Sequence, residues 1–125
     1  MTKVGFIRLG RMGKSMELNM ARKGFELAVY DINEEPMRAF TEFNTCRQAE
    51  NASDAVKDAE IAITVLPGSA ELDSVALAPR GLIVNLPDGA IFMDQSTVLP
   101  ETSDRLAKAA EARGCHFVDA PIGRL

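Results

Sequence analysis

The sequence predicts a doubly wound α/β domain built on a parallel sheet. Short runs of apolar, β-branched and aromatic residues alternate with helical segments along the chain. Several of the runs end at glycine or proline, which terminate strands. Each crossover between parallel strands must pass over one face of the sheet, so helices are expected on both faces. At 125 residues the chain is long enough for one domain with its own core, so we expect residues 1–125 to form one unit.

The first half of the chain contains three predicted strands and two predicted helices. In order, we expect a strand over 3–9, a helix from residue 12 to 23, a strand over 25–31, a helix over 33–43 and a short strand over 45–47. In the first helix Met12, Met16 and Met20 share one face and are expected to pack on the sheet. Glu17 lies off that face, and Gly24 ends the helix.

The second half continues the alternation. We expect a brief helix over 53–58 capped by Ser53, a strand over 60–66 and a helix over 69–77. An irregular segment over 79–89, with a short apolar turn at Leu82-Ile83-Val84, is expected next, followed by a strand over 90–94, a helix over 100–113 and a strand over 115–119. Cys115 is expected in the core and His116, the only histidine, on the strand surface without a catalytic role. Arg105, Lys108 and Arg113 are expected on the exposed face of the last helix.

Composition and charge exclude several classes of protein. A net charge of −4, no tryptophan and one tyrosine argue against a nucleic-acid surface, which needs clustered cations and stacking aromatics. No apolar stretch approaches the roughly 20 residues of a membrane span, and no signal peptide is indicated. Cys46 and Cys115 lie far apart, so neither a disulfide framework nor a metal site is predicted. We therefore expect a cytoplasmic protein without a membrane or nucleic-acid partner.

A glycine-rich turn follows the first strand. In Arg8-Leu9-Gly10-Arg11-Met12-Gly13, the two glycines occupy the second and third glycine positions of the Gly-x-Gly-x-x-Gly motif that binds dinucleotides, and Arg8 occupies the first. The helix that follows directs its free N–H groups and positive dipole end toward an anion. The turn alone is weak evidence, because glycines three apart are common in strand-to-helix turns.

An acidic residue closes the second strand. Asp31 follows Gly13 by 18 residues, the spacing at which a carboxylate accepts hydrogen bonds from the adenosine ribose and repels the 2′-phosphate of NADP. This favours NAD over NADP. The alternative is that Asp31 caps the helix predicted to begin after Asn33.

At this point the sequence resembles the β-hydroxyacid dehydrogenase family over its whole length. That family includes 3-hydroxyisobutyrate dehydrogenase, tartronate semialdehyde reductase and, more distantly, 6-phosphogluconate dehydrogenase. The matching blocks, in order, are Val4-Gly5-Phe6-Ile7 with Leu9-Gly10 and Met12-Gly13, Tyr30-Asp31, Val65-Leu66-Pro67, Asp94-Gln95-Ser96-Thr97 with Pro100-Glu101-Thr102, and Asp119-Ala120-Pro121.

The resemblance implies a Rossmann-type NAD(P)-binding domain of an oxidoreductase that transfers a hydride between the nicotinamide and a small β-hydroxyacid or aldehyde acid. The cofactor-binding residues that it implies are Gly10, Arg11, Met12, Gly13, Asp31, Leu66, Pro67 and Thr97. Leu66, Pro67 and Thr97 also lie just beyond the carboxyl ends of predicted strands, where open α/β sheets bind ligands. As an alternative, these three residues only terminate strands.

The end of the chain departs from many members of the family. Ile122-Gly123-Arg124 stands where they continue with Ser-Gly-Gly, and a Gly-Arg sequence there resembles the sulfolactaldehyde reductase branch. In that branch the arginine helps to hold an anionic sulfonate, which suits the fixed donors of a guanidinium. Arg124 is therefore a candidate substrate-binding residue. The alternative is a solvated terminal side chain.

Two further departures limit the expected activity. The family's catalytic lysine and its helical second domain, which forms the substrate pocket, would follow Leu125, so the domain is expected to be incomplete at its C-terminus and no catalytic residue is assigned. We expect the 125-residue chain not to turn over substrate, and its uncovered apolar surface favours self-association. The alternative function is a non-catalytic nucleotide-binding or interaction module that retains the fold.

The second departure is Arg8. In a conformation that only glycine adopts easily, arginine would cost on the order of 1–3 kcal/mol, and its side chain would stand where the adenosine half of the cofactor approaches. This predicts weakened cofactor binding. Alternatively, the turn tolerates arginine, whose side chain then swings outward and favours the pyrophosphate.

Overall fold

The computed structural model describes residues 2–8, 14–31, 46–78, 81–96 and 98–120, and the predicted helix over 33–43 lies outside them. Six strands and five helices alternate within these ranges. They are β1 (Lys3–Arg8), α1 (Lys14–Arg22), β2 (Glu26–Asp31), β3 (Cys46–Gln48), α2 (Ala52–Val56), β4 (Ile61–Val65), α3 (Ser69–Leu77), α4 (Leu82–Asn85), β5 (Ile91–Asp94), α5 (Pro100–Ala112) and β6 (His116–Asp119).

The strands form one sheet in the order β3-β2-β1-β4-β5-β6, and every pairing in it is parallel. The chain winds outward from β1 in one direction as far as β3, then returns to the other side of β1 and winds through β4, β5 and β6. This is the doubly wound sheet that the sequence predicts, and its direction changes between β1 and β4.

Helices cover the two faces of the sheet around separate apolar clusters. Alternate residues of β1 show the division: Val4 and Phe6 pack with Ala21 of α1, whereas Ile7 packs with α2 and the later helices. We call the first side the α1 face and the other the α2 face. The buried strand residues are mostly aliphatic on both faces, as expected for a parallel sheet that water does not reach.

Two glycines are required by the packing and the chain path. A Cβ at Gly5 would collide with the backbone carbonyl of Ala55, so the absence of a side chain lets α2 lie close against β1. Gly24 has a φ of +89°, the left-handed conformation that ends α1 as predicted.

Two details in the second half differ from the prediction: the cap of α2 is wrong, and the apolar turn predicted at 82–84 is one turn of helix. The cap of α2 is Asn51, whose side chain accepts a hydrogen bond from the Asp54 N–H at 2.8 Å, and Ser53 lies inside the helix. The segment predicted to be irregular contains α4, whose buried Leu82 and Ile83 pack into the core on the α2 face. Burial of these apolar side chains favours a helical turn that the surrounding prolines and glycines do not indicate.

Within the part of the chain that the structure describes, no helix is long and apolar enough to cross a membrane.

Candidate functional site

The candidate site lies at the carboxyl edge of the sheet, where β1, β2 and β4 end. Arg8, the last residue of β1, stands between Asp31 at the end of β2 and Val65 at the end of β4. The switch in strand order falls between β1 and β4, and open α/β sheets bind ligands in the crevice outside such a point.

Arg8 forms a buried ion cluster with two carboxylates. Its Nε lies 2.7 Å from Glu17 Oε1, and its Nη1 lies 2.9 Å from Asp31 Oδ2. The side chains of Arg8 and Glu17 are fully buried, and that of Asp31 is 1% exposed. The guanidinium therefore links α1 to the end of β2 beneath the protein surface.

The strand alternation explains why these groups meet. Arg8 follows Val4 and Phe6 at two-residue intervals, so its side chain points to the α1 face. Asp31 follows Leu27 and Val29 on the same face of the neighbouring strand. Charges removed from water are costly unless they are paired, so the two carboxylates and the guanidinium depend on one another.

This arrangement differs from the alternative in which the Arg8 side chain swings outward. The side chain runs inward to Glu17 and Asp31. Glu17, which lies off the methionine face of the helix, is buried as a result. A signal was present in the sequence, because Glu17 lies four residues before the buried Ala21 and so shares its helical face.

A second buried polar group lies at the ends of β4 and β5. The Thr64 hydroxyl donates to Asp94 Oδ1 at 2.7 Å, and the backbone N–H of Ser96 donates to the same oxygen at 3.1 Å. The Ser96 hydroxyl in turn accepts the N–H of Leu66 at 2.9 Å. These bonds tie the two strand ends together on the α2 face, to which Ala62 and Phe92 also point.

Burial raises the pKa of Asp94 above its ordinary value of 3.8, although the hydrogen bonds from Thr64 and Ser96 oppose the shift. The negative charge of Asp119, its partner across β5 and β6, acts in the same direction as burial. Among the described residues, Asp94 Oδ2 is buried without a hydrogen-bond partner. Neutral donors thus hold this carboxylate within the described ranges, and its pKa is raised.

The structure describes three of the predicted site residues. Asp31 lies in the ion cluster, Leu66 is buried with its N–H engaged by Ser96, and Pro67 is exposed just beyond it. The remaining predicted site residues lie outside the described residues. They are Gly10, Arg11, Met12, Gly13, Thr97 and Arg124.

The other candidate residues behave mostly as expected. His116 is exposed on β6 and Cys115 is buried in the core. No group of three or more histidine, cysteine or acidic residues that could hold a metal occurs in the described ranges. Arg113 is the exception, because its guanidinium donates to the carbonyls of Ile83 and Leu86 at the end of α4 rather than pointing only to solvent.

A doubly wound parallel sheet with this strand order, a glycine-rich turn after its first strand and an acid at the end of its second defines a Rossmann-type dinucleotide-binding domain. Residues 3–124 match the family described as the NAD binding domain of 6-phosphogluconate dehydrogenase, and the chain belongs to that family. The resemblance identified from the sequence is confirmed.

Known proteins with similar sequences and structures are oxidoreductases. The chain is 35% identical to 3-sulfolactaldehyde reductase of Escherichia coli (strain K12), over 99% of this chain and 41% of that protein. Among solved structures, 3-hydroxyisobutyrate dehydrogenase of Mycobacterium tuberculosis superposes with a TM-score of 0.87 at 23% identity, over 99% of this chain and 41% of the other. A complex of Psf3 with NADP+ and 2-OPP superposes with a TM-score of 0.83 at 26% identity, over 97% of this chain and 43% of the other.

The chain thus corresponds to the NAD-binding domain of oxidoreductases of the 3-hydroxyisobutyrate dehydrogenase and sulfolactaldehyde reductase type. It spans 41% of the length of the E. coli relative.

Proposed function

We propose that the chain binds a nicotinamide dinucleotide across the carboxyl ends of β1 and β4. The observation that carries this proposal is the reversal of strand order between β1 and β4, with Asp31 at the adjoining end of β2. The pyrophosphate would lie on the turn at Gly10, Arg11, Met12 and Gly13, at the start of α1, where backbone N–H groups bind anions.

The adenosine ribose would lie toward Asp31, and the nicotinamide half toward Leu66, Pro67 and Thr97. The N–H of Leu66 already donates to Ser96, so the backbone group of Leu66 that would contact the cofactor is its carbonyl. An acid at position 31 favours NAD over NADP, because a carboxylate repels the 2′-phosphate. The bound dinucleotide would supply the hydride donor or acceptor.

The substrate class we propose for the intact protein is a small β-hydroxyacid and its aldehyde acid, of the 3-hydroxyisobutyrate or sulfolactaldehyde type. Support comes from the reaction named for the E. coli relative and from the Gly123-Arg124 sequence, whose guanidinium suits an anionic substrate group. None of the described residues is assigned to proton transfer, and we propose that the 125-residue chain alone is not catalytic.

Titration of the 125-residue chain with NADH, followed by nicotinamide fluorescence, tests this function. We expect saturable binding that Gly10→Val weakens by about tenfold or more, because a side chain there keeps the backbone away from the pyrophosphate. Ala112→Val, which introduces the same side chain at an exposed position at the end of α5, is the matched control and should leave the affinity unchanged.

The second candidate function is a module that retains the fold without binding a dinucleotide. It is favoured by the burial of Asp31 in an ion cluster, which withdraws a polar contact that the ribose would use. Absence of NADH and NADPH binding at millimolar concentration, with folding verified by circular dichroism, would favour the module and contradict the proposed function.

A further inference from the structure

We propose that Arg8, held in place by Glu17, sets the affinity of the dinucleotide site by binding the Asp31 carboxylate that the ribose would otherwise contact. This inference rests on the proposed function. In this proposal Arg8 and Glu17 determine the affinity for the cofactor, although neither is one of the glycines of the turn.

The carboxylate of Asp31 is engaged inside the protein. Its Oδ2 lies 2.9 Å from Arg8 Nη1, and only 1% of its side chain is exposed. A ribose diol binds a carboxylate best when both carboxylate oxygens accept. The ribose must therefore compete with the contact between Arg8 and Asp31, which is charge-assisted and so stronger than a neutral hydrogen bond. Binding of the adenosine half therefore requires the Arg8–Asp31 contact to be loosened.

Glu17 fixes the direction of the guanidinium. Its Oε1 forms an ion pair with Arg8 Nε at 2.7 Å, while Arg8 Nη1 lies beside Asp31. Because the guanidinium is rigid and planar, holding one edge orients the other. Arg8 and Glu17 thus act as one unit, because removal of one member of a buried ion pair is costly to the other.

Removal of both residues leaves the net charge of the chain unchanged. Arg8 carries one positive charge and Glu17 one negative charge, and the two form one ion pair. Any change in cofactor affinity in that variant then reports the loss of the Arg8–Asp31 contact rather than a change in net charge.

The test compares the parent 125-residue chain with the double variant Arg8→Met/Glu17→Gln by NADH and NADPH titration. This variant removes both charges without restoring the first glycine of the turn motif. Freeing one carboxylate to bind a ribose hydroxyl is expected to strengthen NADH binding by about tenfold or more. NADPH should gain less, because its 2′-phosphate meets the freed carboxylate, so the ratio of the two dissociation constants should rise in favour of NADH.

The matched control is Arg105→Ala/Asp73→Ala. This variant also removes one ion pair without changing net charge, but the pair joins α5 to α3, and its side chains are 51% and 31% exposed. It should leave both affinities unchanged.

Asp31→Asn in the parent chain provides a measurement that does not depend on folding of the double variant, because Arg8 keeps its contact with Glu17. If Arg8 holds the carboxylate, this substitution should change NADH affinity by less than about threefold, since the ribose gains little from Asp31 in the parent. A loss of tenfold or more would show that the ribose already contacts Asp31 and would overturn the proposal.

The outcomes separate this inference from the proposed function. Equal NADH affinity of the parent and a folded double variant overturns the role of Arg8 and leaves dinucleotide binding intact. Absence of NADH and NADPH binding in both chains overturns the proposed function and the inference with it. Tighter NADH binding by the double variant alone, with the control unchanged, supports both.

Discussion

Two buried carboxyl groups lie at the same edge of the sheet and are held in opposite ways. Asp31, at the end of β2, is held by the guanidinium of Arg8 on the α1 face. Asp94, at the end of β5, is held by the hydroxyl of Thr64 and the backbone N–H of Ser96 on the α2 face. A cation compensates a buried charge, whereas neutral donors compensate it only in part, and burial raises the pKa of Asp94.

The difference has a consequence for the two halves of the domain. The ion cluster at the β1 and β2 ends depends on three charged groups at once, so loss of one exposes the others to an uncompensated burial cost. The hydrogen-bonded group at the β4 and β5 ends can lose its charge by binding a proton. We therefore expect the stability of the domain to depend strongly on substitutions in the Arg8 cluster. The contribution of the Asp94 group to stability should depend on pH.

The largest effect is expected from Arg8→Met, which keeps much of the side-chain length and removes the cation. Glu17 and Asp31 would remain buried without their shared partner, and removal of one member of a buried pair costs about 3–5 kcal/mol. Urea unfolding followed by circular dichroism measures the loss. The exposed pair offers the control, since Arg105→Met should cost no more than about 1 kcal/mol. Equal losses would show that the Arg8 cluster has no special dependence on its cation.

A smaller loss is expected from Thr64→Val, which replaces the hydroxyl with a methyl group of similar size. Asp94 Oδ1 would lose its 2.7 Å donor and keep only the Ser96 N–H, at a cost of about 1–3 kcal/mol. Thr64→Ser retains the hydroxyl and is expected to recover part of that loss. Unfolding measurements of the two variants in urea distinguish them, and a Ser variant as unstable as the Val variant would argue that the methyl group, not the hydrogen bond, matters.

The smallest expected effect is on how the free energy of unfolding depends on pH. Because the pKa of Asp94 is raised in the folded chain, the folded state holds the proton more tightly than the unfolded state does. The contribution of Asp94 to stability is therefore present below pH 3.8 and declines as pH rises through the folded pKa. Asp94→Asn should remove this decline in urea unfolding measured over a pH series.

Asp54 provides a control of opposite sign. The Glu50 N–H is the main cause that lowers its pKa, to about 2, and Arg47 and Lys57 add to it. The contribution of the Asp54 carboxylate to stability is present above pH 3.8 and is lost as pH falls through about 2. Asp54→Asn should therefore lower the free energy of unfolding at neutral pH and change it little at pH 2. If the Asp94 and Asp54 variants changed the profile in the same direction, the contrast between them would be wrong.

Local patterns in the sequence were sufficient for most of the fold. The apolar runs of β1, β2 and β4 predict buried parallel strands because a strand covered on both faces needs nearly continuous apolar side chains. Gly24 predicts the end of α1 because few other residues adopt its conformation. The prolines and glycines around α4 misled the prediction, because the burial of Leu82 and Ile83 outweighs their local preference.

The candidate site was predictable in part. Asp31 was predicted from its distance to the glycine turn, and Leu66 and Pro67 from the resemblance to the family, with which their position at the end of a strand agrees. The role of Glu17 was not predicted, because an acid on a helix is ordinarily exposed. Its burial depends on the charge of Arg8, nine residues earlier in the chain. Thr64 was also passed over, although it is the only hydroxyl in an apolar strand.

The sequence by itself determined the alternation of strands and helices and the positions of the turn and the acid, since these follow from periodicity and conformational preference over a few residues. Only the tertiary structure decided that Arg8 turns inward to Glu17 and Asp31. The reason is that β1, α1 and β2 must pack together before the three charges come within contact distance, and their burial then makes pairing the lowest-energy arrangement.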